Sequence, residues 1–241
     1  MNSDPFIREV EKCNQRGERM LSVVDLLEAG TIDRELTAYL MAAIGRGASF
    51  MTGANPGGAG KTTIMCALLS LLPPGTILRT ADSIETIADG TAHPSPRACY
   101  ICHEIRNNDI YSYLWDGALR AYFSMARVGH LMATTLHADT FEQARDQVCG
   151  ENEVPAKDFL LMNLALFIRR DQDGRKVVTA WESDGKTDHA RIYNEGTLDR
   201  KAARLADAAA ITASSRRLDA LVASGARTIA EVRVFLAGKK G

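Results

Sequence analysis

The sequence has no apolar run long enough to cross a membrane. A spanning helix needs roughly 20 such residues, and the longest stretch, near residues 64–72, offers about half of that. It has no secretory signature, because residues 1–9 are charged and lack a continuous apolar segment, so export is not expected. It has almost no net charge: 29 basic against 30 acidic residues leave -1, and nothing global favours nucleic acid or an anionic surface as partner. It has no internal repeat and no low-complexity segment. Cysteine is sparse and odd in number. Cys13, Cys66, Cys99, Cys102 and Cys149, in a chain without an export signal, point to thiols in a reducing compartment rather than to a disulfide framework.

One cysteine motif needs weighing. Cys99-Tyr100-Ile101-Cys102-His103 matches the five-residue pattern of c-type haem attachment, which needs an exported chain. It falls in an apolar run that reads as a buried strand, and no second ligand pair follows to complete a zinc site. A redox pair stays open beside the favoured reading, small hydrophobes in a core strand.

What is present suits a globular protein. Hydrophobic residues at 46% and charged residues at 24% exclude wholesale disorder and collagen-like order, and 241 residues suffice for one large domain or a domain with a small appendage. Residues 1–48 read as a helical N-terminal extension, an adaptor, since Val23, Val24, Leu26, Leu27 and then Leu36, Tyr39, Leu40, Ala43, Ile44 recur at helical spacing. From Ser49 short β-prone runs at residues 49–52, 76–80, 98–102 and 131–136 alternate with helices, the pattern of an α/β fold with a mostly parallel sheet. Helices are expected over residues 61–72 and about 110–127, with an extended turn over 90–96. Two β-prone runs, 164–170 and 176–181, flank Asp171-Gln172-Asp173-Gly174, which predicts an antiparallel edge hairpin and closes a core spanning 49–196. Residues 197–241 are expected to form a helical basic tail, in which, from Arg200 onward, Arg200, Lys201, Arg204, Arg216, Arg217, Arg227, Arg233, Lys239 and Lys240 face only Asp207, Asp219 and Glu231. A solvated helical surface is the default reading of that charge. Thr228-Ile229-Ala230-Glu231 is a capping box.

Between the first strand and the next helix lies Thr52-Gly53-Ala54-Asn55-Pro56-Gly57-Gly58-Ala59-Gly60-Lys61-Thr62-Thr63. In that context it reads as a phosphate-binding loop: glycines let backbone N–H groups wrap a polyphosphate at a helix N-terminus, a lysine neutralises the β- and γ-phosphates, and a threonine hydroxyl joins the Mg²⁺ shell. Nucleotide-binding candidates are therefore Asn55, Gly57, Gly58, Ala59, Gly60, Lys61, Thr62 and Thr63. Asn55 stands where the usual pattern has its first glycine. Either Asn55 takes left-handed backbone angles or the loop carries two extra residues counted from Gly53.

Three further segments follow. Thr80-Ala81-Asp82-Ser83-Ile84-Glu85 resembles the Asp box of the type II/type IV secretion and pilus motor ATPases, Tyr100-Ile101-Cys102-His103-Glu104-Ile105-Arg106 their Walker B strand, and Gly129-His130-Leu131-Met132-Ala133-Thr134-Thr135-Leu136-His137-Ala138-Asp139 their His box. Asp173-Gly174-Arg175 resembles the hairpin that follows in those motors. The likeness covers about residues 48–180, in the family's motif order, with Ala81 and His103 in place of the usual glutamate and glycine.

This resemblance implies a RecA-like P-loop core in a minimal form without the family's large N-terminal domain, using ATP with Mg²⁺. Glu104 would hold the Mg²⁺ shell with Thr62 and polarise water, Glu85 would be general base, and these two roles are exchangeable. His137 would sense the γ-phosphate. Arg79, Arg97 and Arg106, from a pool that includes Arg120 and Arg127, are candidates for an arginine acting across a subunit boundary. The resemblance further implies a ring homo-oligomer, in the family a hexamer, located in the cytoplasm at the inner face of a membrane and partnered by membrane-platform or secretion-machine proteins. No direct nucleic-acid contact is expected. Two other functions stay open: a nucleotide-binding subunit that does not hydrolyse ATP, and a small-molecule kinase.

Overall fold

The computed structural model describes residues 4–14, 17, 19–55, 57–172 and 174–238. Pro56 of the loop, Asp173 of the hairpin signal, and Lys239 and Lys240 of the basic tail lie outside the described residues.

Short-range signals start most elements. Asp4 caps α1 (Pro5–Lys12), a Ser22/Asp25 capping box opens α2 (Val23–Glu28), and Asp33 caps α3 (Arg34–Gly45). There follow β1 (Phe50–Gly53), α4 (Lys61–Leu69), β2 (Ile77–Thr80), α5 (Ile84–Ala92), β3 (Ala98–Ile105), β4 (Tyr113–Leu114) and α6 (Asp116–Ser124). A 3₁₀ turn (Met125–Val128) leads to β5 (Leu131–Leu136), and α7 (Phe141–Arg145), a π-helical turn and α8 (Ala156–Phe159) lead to β6 (Leu164–Asp171). Strands β7 (Gly174–Glu182), β8 (Ala190–Asn194) and β9 (Thr197–Leu198) precede α9 (Ala208–Ala223) and α10 (Ile229–Leu236).

The strands form one sheet in the order β2-β3-β5-β1-β6-β7-β8-β9, with β4 appended to β3. Pairings from β2 to β6 are parallel, and those from β6 to β9 antiparallel. This is the mostly parallel α/β sheet with an antiparallel edge that the sequence pattern predicts. β1 and β5 are buried along their whole length, because helices cover both faces of a parallel sheet.

Each face has its own core. Phe50, Cys99, Ile101 and Leu166 point into one; Met51, Tyr100, Cys102 and Phe167 point into the other. Cys99 and Cys102 therefore leave β3 on opposite faces, about 10 Å apart along the strand, beyond disulfide reach. The redox-pair reading is overturned. Burial pushes both thiols up, Cys102 to about 12, as expected of core fillers. The thiols that do influence one another are Cys13 and Cys66, the contact lowering the Cys13 pKa and raising that of Cys66.

The terminal helices contribute to the first core. Phe6, Val10, Val23, Leu36, Tyr39, Ile211 and Leu218 share it with Phe50 and Leu68 of the sheet and α4. α3 is buried from Leu36 to Ile44 without a break, the state of a helix apolar all round. The basic tail is partly neutralised within the chain: Arg227 pairs with Glu28, Arg200 with Glu35, and the Arg233 guanidinium lies 3.6 Å over the Phe6 ring.

Two boundaries differ from expectation. Helix α6 starts at Asp116, not near 110, because Tyr113 and Leu114 pair with Glu104 and Ile105 and the Ser112 hydroxyl donates to Ala81 O (3.0 Å). Helix α5 runs through Gly90 to Ala92, so the expected extended turn is shorter. Among the described residues no helix is long and apolar enough to cross a membrane.

Candidate functional site

β1, β3 and β5 run parallel and end at one edge of the sheet, so the loops that leave them converge there. Gly53 closes β1 where no side chain fits: a Cβ would stand 2.6 Å from Ala138 O and 2.8 Å from the Phe167 ring. The chain then loops to Gly60, the N-cap of α4, which has φ +99° and no side-chain cap. The first N–H groups of α4 thus lack a side-chain acceptor, the geometry that receives an anion. Left-handed angles fall on Gly58 and Gly60, not on Asn55. Asn55 instead ties the loop to the segment after β5: its N–H donates to Asp139 Oδ1 (2.6 Å), and its Oδ1 lies 3.1 Å from His137 Nδ1.

Lys61 opens α4 and is only 7% exposed. Its Nζ donates to Ala54 O (3.3 Å) and stands 3.2 Å from His137 Nε2. Burial lowers its pKa; Glu104 opposes this and Arg106 adds to it. His137, one residue past β5, has its pKa lowered first by burial and then by the Lys61 ammonium. Glu104, near the end of β3 and 9% exposed, brings Oε1 to 2.5 Å from His137 Nε2. The His137 ring is thus shared among Asn55, Lys61 and Glu104, and its tautomer decides which of them it bonds. A buried carboxylate in that position is costly unless a cation or a donor meets it.

Lys61, Glu104 and His137 are therefore brought together, with Asn55, Asp139 and Arg106 around them. Thr62 and Thr63 are half-buried in the first turn of α4, and the Thr52 hydroxyl donates to Lys61 O (3.1 Å), tying β1 to that turn. Glu85 is not brought in. It is exposed in the first turn of α5, beyond edge strand β2, which β3 and β5 separate from β1 by about 14 Å. Its neighbour Asp82 accepts hydrogen bonds from Thr86 and Tyr111. Arg79 lies exposed on β2. Arg97 precedes β3, at the opposite end of the sheet, with its guanidinium on Gly47. Arg120 bonds Asn152 O, and Arg127 pairs with buried Asp158. Of the five, Arg106 alone adds its charge to Lys61 and His137.

The two departures from the motif are built into the interior. Ala81 is fully buried, and His103 sits inside β3 with its N–H donating to Ser112 O (2.9 Å), its C=O accepting from Thr135 (2.8 Å) and its Nε2 without a hydrogen bond. Asp139, which ends the His-box segment and accepts from Asn55 N–H, and Arg175, whose side chain crosses Gly60, are two residues of the motif segments to which the sequence pattern gives no role. A surface groove of about 580 Å³, lined by Phe141, Glu142, Trp181 and His189 among others, shares no residue with this cluster.

No protein-family model matches the chain, and no curated sequence matches it either. Among solved structures it is similar to the VirB11 ATPase from the Brucella suis type IV secretion system, at 18% identity and a TM-score of 0.49, over 76% of this chain and 59% of that one. It is also similar to the Legionella pneumophila ATPase DotB, at 16% identity and a TM-score of 0.41, over 83% and 63%. The chain thus spans less than two thirds of either structure.

Proposed function

We propose that this chain is a RecA-like P-loop ATPase of the secretion and pilus motor class, a subunit that converts Mg-ATP binding and hydrolysis into movement. The observation that carries this reading is the meeting of Lys61, Glu104 and His137 beside an uncapped helix that opens with Gly60-Lys61-Thr62. A γ-phosphate entering the loop would take over the Lys61 ammonium from Ala54 and His137, trading two weak contacts for charge-assisted ones. His137 would then report the nucleotide state, because it touches Lys61, Glu104 and Asn55 at once.

The residues fit a magnesium ion. Glu104 is a nearly buried carboxylate at the end of β3, and Thr62 offers a hydroxyl from the first turn of α4; these two would hold the metal together with the phosphates. Mg²⁺ would neutralise charge on the β- and γ-phosphates. Glu104 would orient the attacking water. Arg106 is exposed beside the cluster of its own subunit, so its charge would act within that subunit. A ring of such subunits, a hexamer in the motor class, would let Arg79 or Arg97 approach a neighbour's site. Docking would be to membrane-platform proteins at the cytoplasmic face.

The test is Mg-dependent phosphate release by wild type and Glu104→Gln. Turnover should fall about 100-fold in the variant while Mg-ATP affinity stays. Equal turnover would remove Glu104 from the site. A second reading, a nucleotide-binding subunit without hydrolysis, is favoured by one observation: Glu85 stands away from the cluster. Mg-ATP binding with no phosphate release by wild type would select it.

A further inference from the structure

Arg175 holds a position that the functional reading leaves unassigned. It is the second residue of β7, on the hairpin that β6 anchors beside β1, on the side of β1 away from β5. Its side chain runs over the last glycine of the loop: a Cβ on Gly60 would meet Arg175 Cδ at 3.0 Å and Nε at 3.6 Å. Arg169 of the same hairpin is held by Glu195 (2.7 Å). Arg175 is exposed and, among the described residues, no carboxylate pairs with it. Its direct cross-strand partner is Arg170, another exposed arginine. Like charges opposite one another on one face of a sheet destabilise the pairing. A fork of donors beside a phosphate-type loop and against a like charge has an evident complement, an anion.

The topology says which part of that anion. Glu104 and His137 leave β3 and β5 on one side of β1, whereas Arg175 reaches Gly60 from β7 on the other. A triphosphate laid along residues 57–60 with its terminal phosphate at Glu104 and His137 would have its inner phosphates toward Arg175. We propose that Arg175 is a phosphate-binding arginine acting within its own subunit, meeting the α- and β-phosphates of the nucleotide. The inference rests on the ATPase reading above and adds to it a residue that does not distinguish ATP from ADP.

The experiment is calorimetric titration of Mg-ATP and Mg-ADP into full-length wild type, Lys61→Ala, Arg175→Ala and Arg175→Lys, with melting temperatures of the ligand-free proteins. Arg175→Ala should weaken both nucleotides by the same factor, about 10-fold or more. Arg175→Lys, which keeps the charge and loses the fork, should fall between. Ligand-free Arg175→Ala should melt at or above wild type, since a like-charge contact is gone. Wild-type affinity for both nucleotides in Arg175→Ala, while Lys61→Ala has lost them, would overturn this inference and leave the ATPase reading standing. So would a loss confined to ATP, which would put Arg175 at the terminal phosphate, or a lowered melting temperature with affinity unchanged, which would make it a structural residue. A wild type that binds neither nucleotide would instead sink the ATPase reading, and this inference with it.

Discussion

The two ends of the parallel sheet treat a histidine in opposite ways. At the end where β1, β3 and β5 begin, buried donors meet acceptors around it: Ser49 N–H donates to Asn163 Oδ1 (3.0 Å), and Met132 N–H donates to Ser49 Oγ (3.0 Å). His130 there accepts from Ala98 N–H at Nδ1 (3.2 Å) and donates to Gly90 O at Nε2 (2.9 Å), so one ring proton satisfies both nitrogens. At the other end His137 touches an ammonium, the Asn55 amide and a carboxylate at once, more partners than its two ring nitrogens can serve. The same residue type is architecture at one end and an unfinished electrostatic set at the other. Matched polar groups specify a fold; a surplus of acceptors around a buried lysine marks where a ligand completes the set.

The strongest challenge to that contrast is Lys61→Ala. It should abolish measurable Mg-ATP affinity, a loss on the order of 100-fold, because two charge-assisted phosphate contacts go at once. The ligand-free protein should melt at or above the wild-type temperature, since a buried ammonium with a depressed pKa is removed. Unfolding, or unchanged titration heats, would erase the distinction between the ends.

The converse change is His130→Ala. It removes a buried ring with two good hydrogen bonds and should cost about 2–4 kcal/mol by chemical denaturation, with nucleotide affinity within twofold of wild type. A selective loss of nucleotide binding instead would place ligand chemistry at both ends.

The smallest effect sharpens the contrast by pH. His189, at the architectural end where β6 starts and β7 finishes, packs on Phe141 and Phe159 and bonds Met162 O at 2.8 Å. Burial holds its pKa below 6.5, with the Met162 hydrogen bond opposing. The unfolded chain then binds a proton that the folded chain resists. Stability from this group is complete above pH 6.5 and declines as pH falls toward the depressed folded value. Denaturant midpoints between pH 8 and 5 should show this decline, and His189→Gln should flatten it. An unchanged slope in the variant would assign the pH dependence elsewhere.

Local chemistry made much of the fold legible. The β-prone runs became β1, β2, β3, β5, β6 and β7, and Thr228 with Glu231 formed the capping box at α10. These signals act over two to four residues and need no partner. Where the reading failed, a distant contact had overruled a local one. Residues 110–115 have no long-helix conformation because Ser112 is tied to Ala81 and Ile101, and Tyr113 pairs with Glu104. The short strands β8 and β9 carry little pattern of their own and exist because β7 offers an edge.

The candidate site divides along the same line. Sequence alone determined the uncapped, glycine-ended start of α4, the placement of Lys61 in its first turn, and the alternation that put Glu104 and His137 at strand ends. Tertiary structure decided that β5 lies between β1 and β3, which brings His137 against both Lys61 and Glu104 and leaves Glu85 behind an edge strand. It also sent Cys99 and Cys102 into different cores, drew the terminal helices into the first of them, and laid Arg175 across Gly60. The physical reason is range: caps, turns and pleats are settled by neighbours in the chain, whereas the order of parallel strands is settled by burying both faces of the sheet at once, a constraint that no short window of sequence contains.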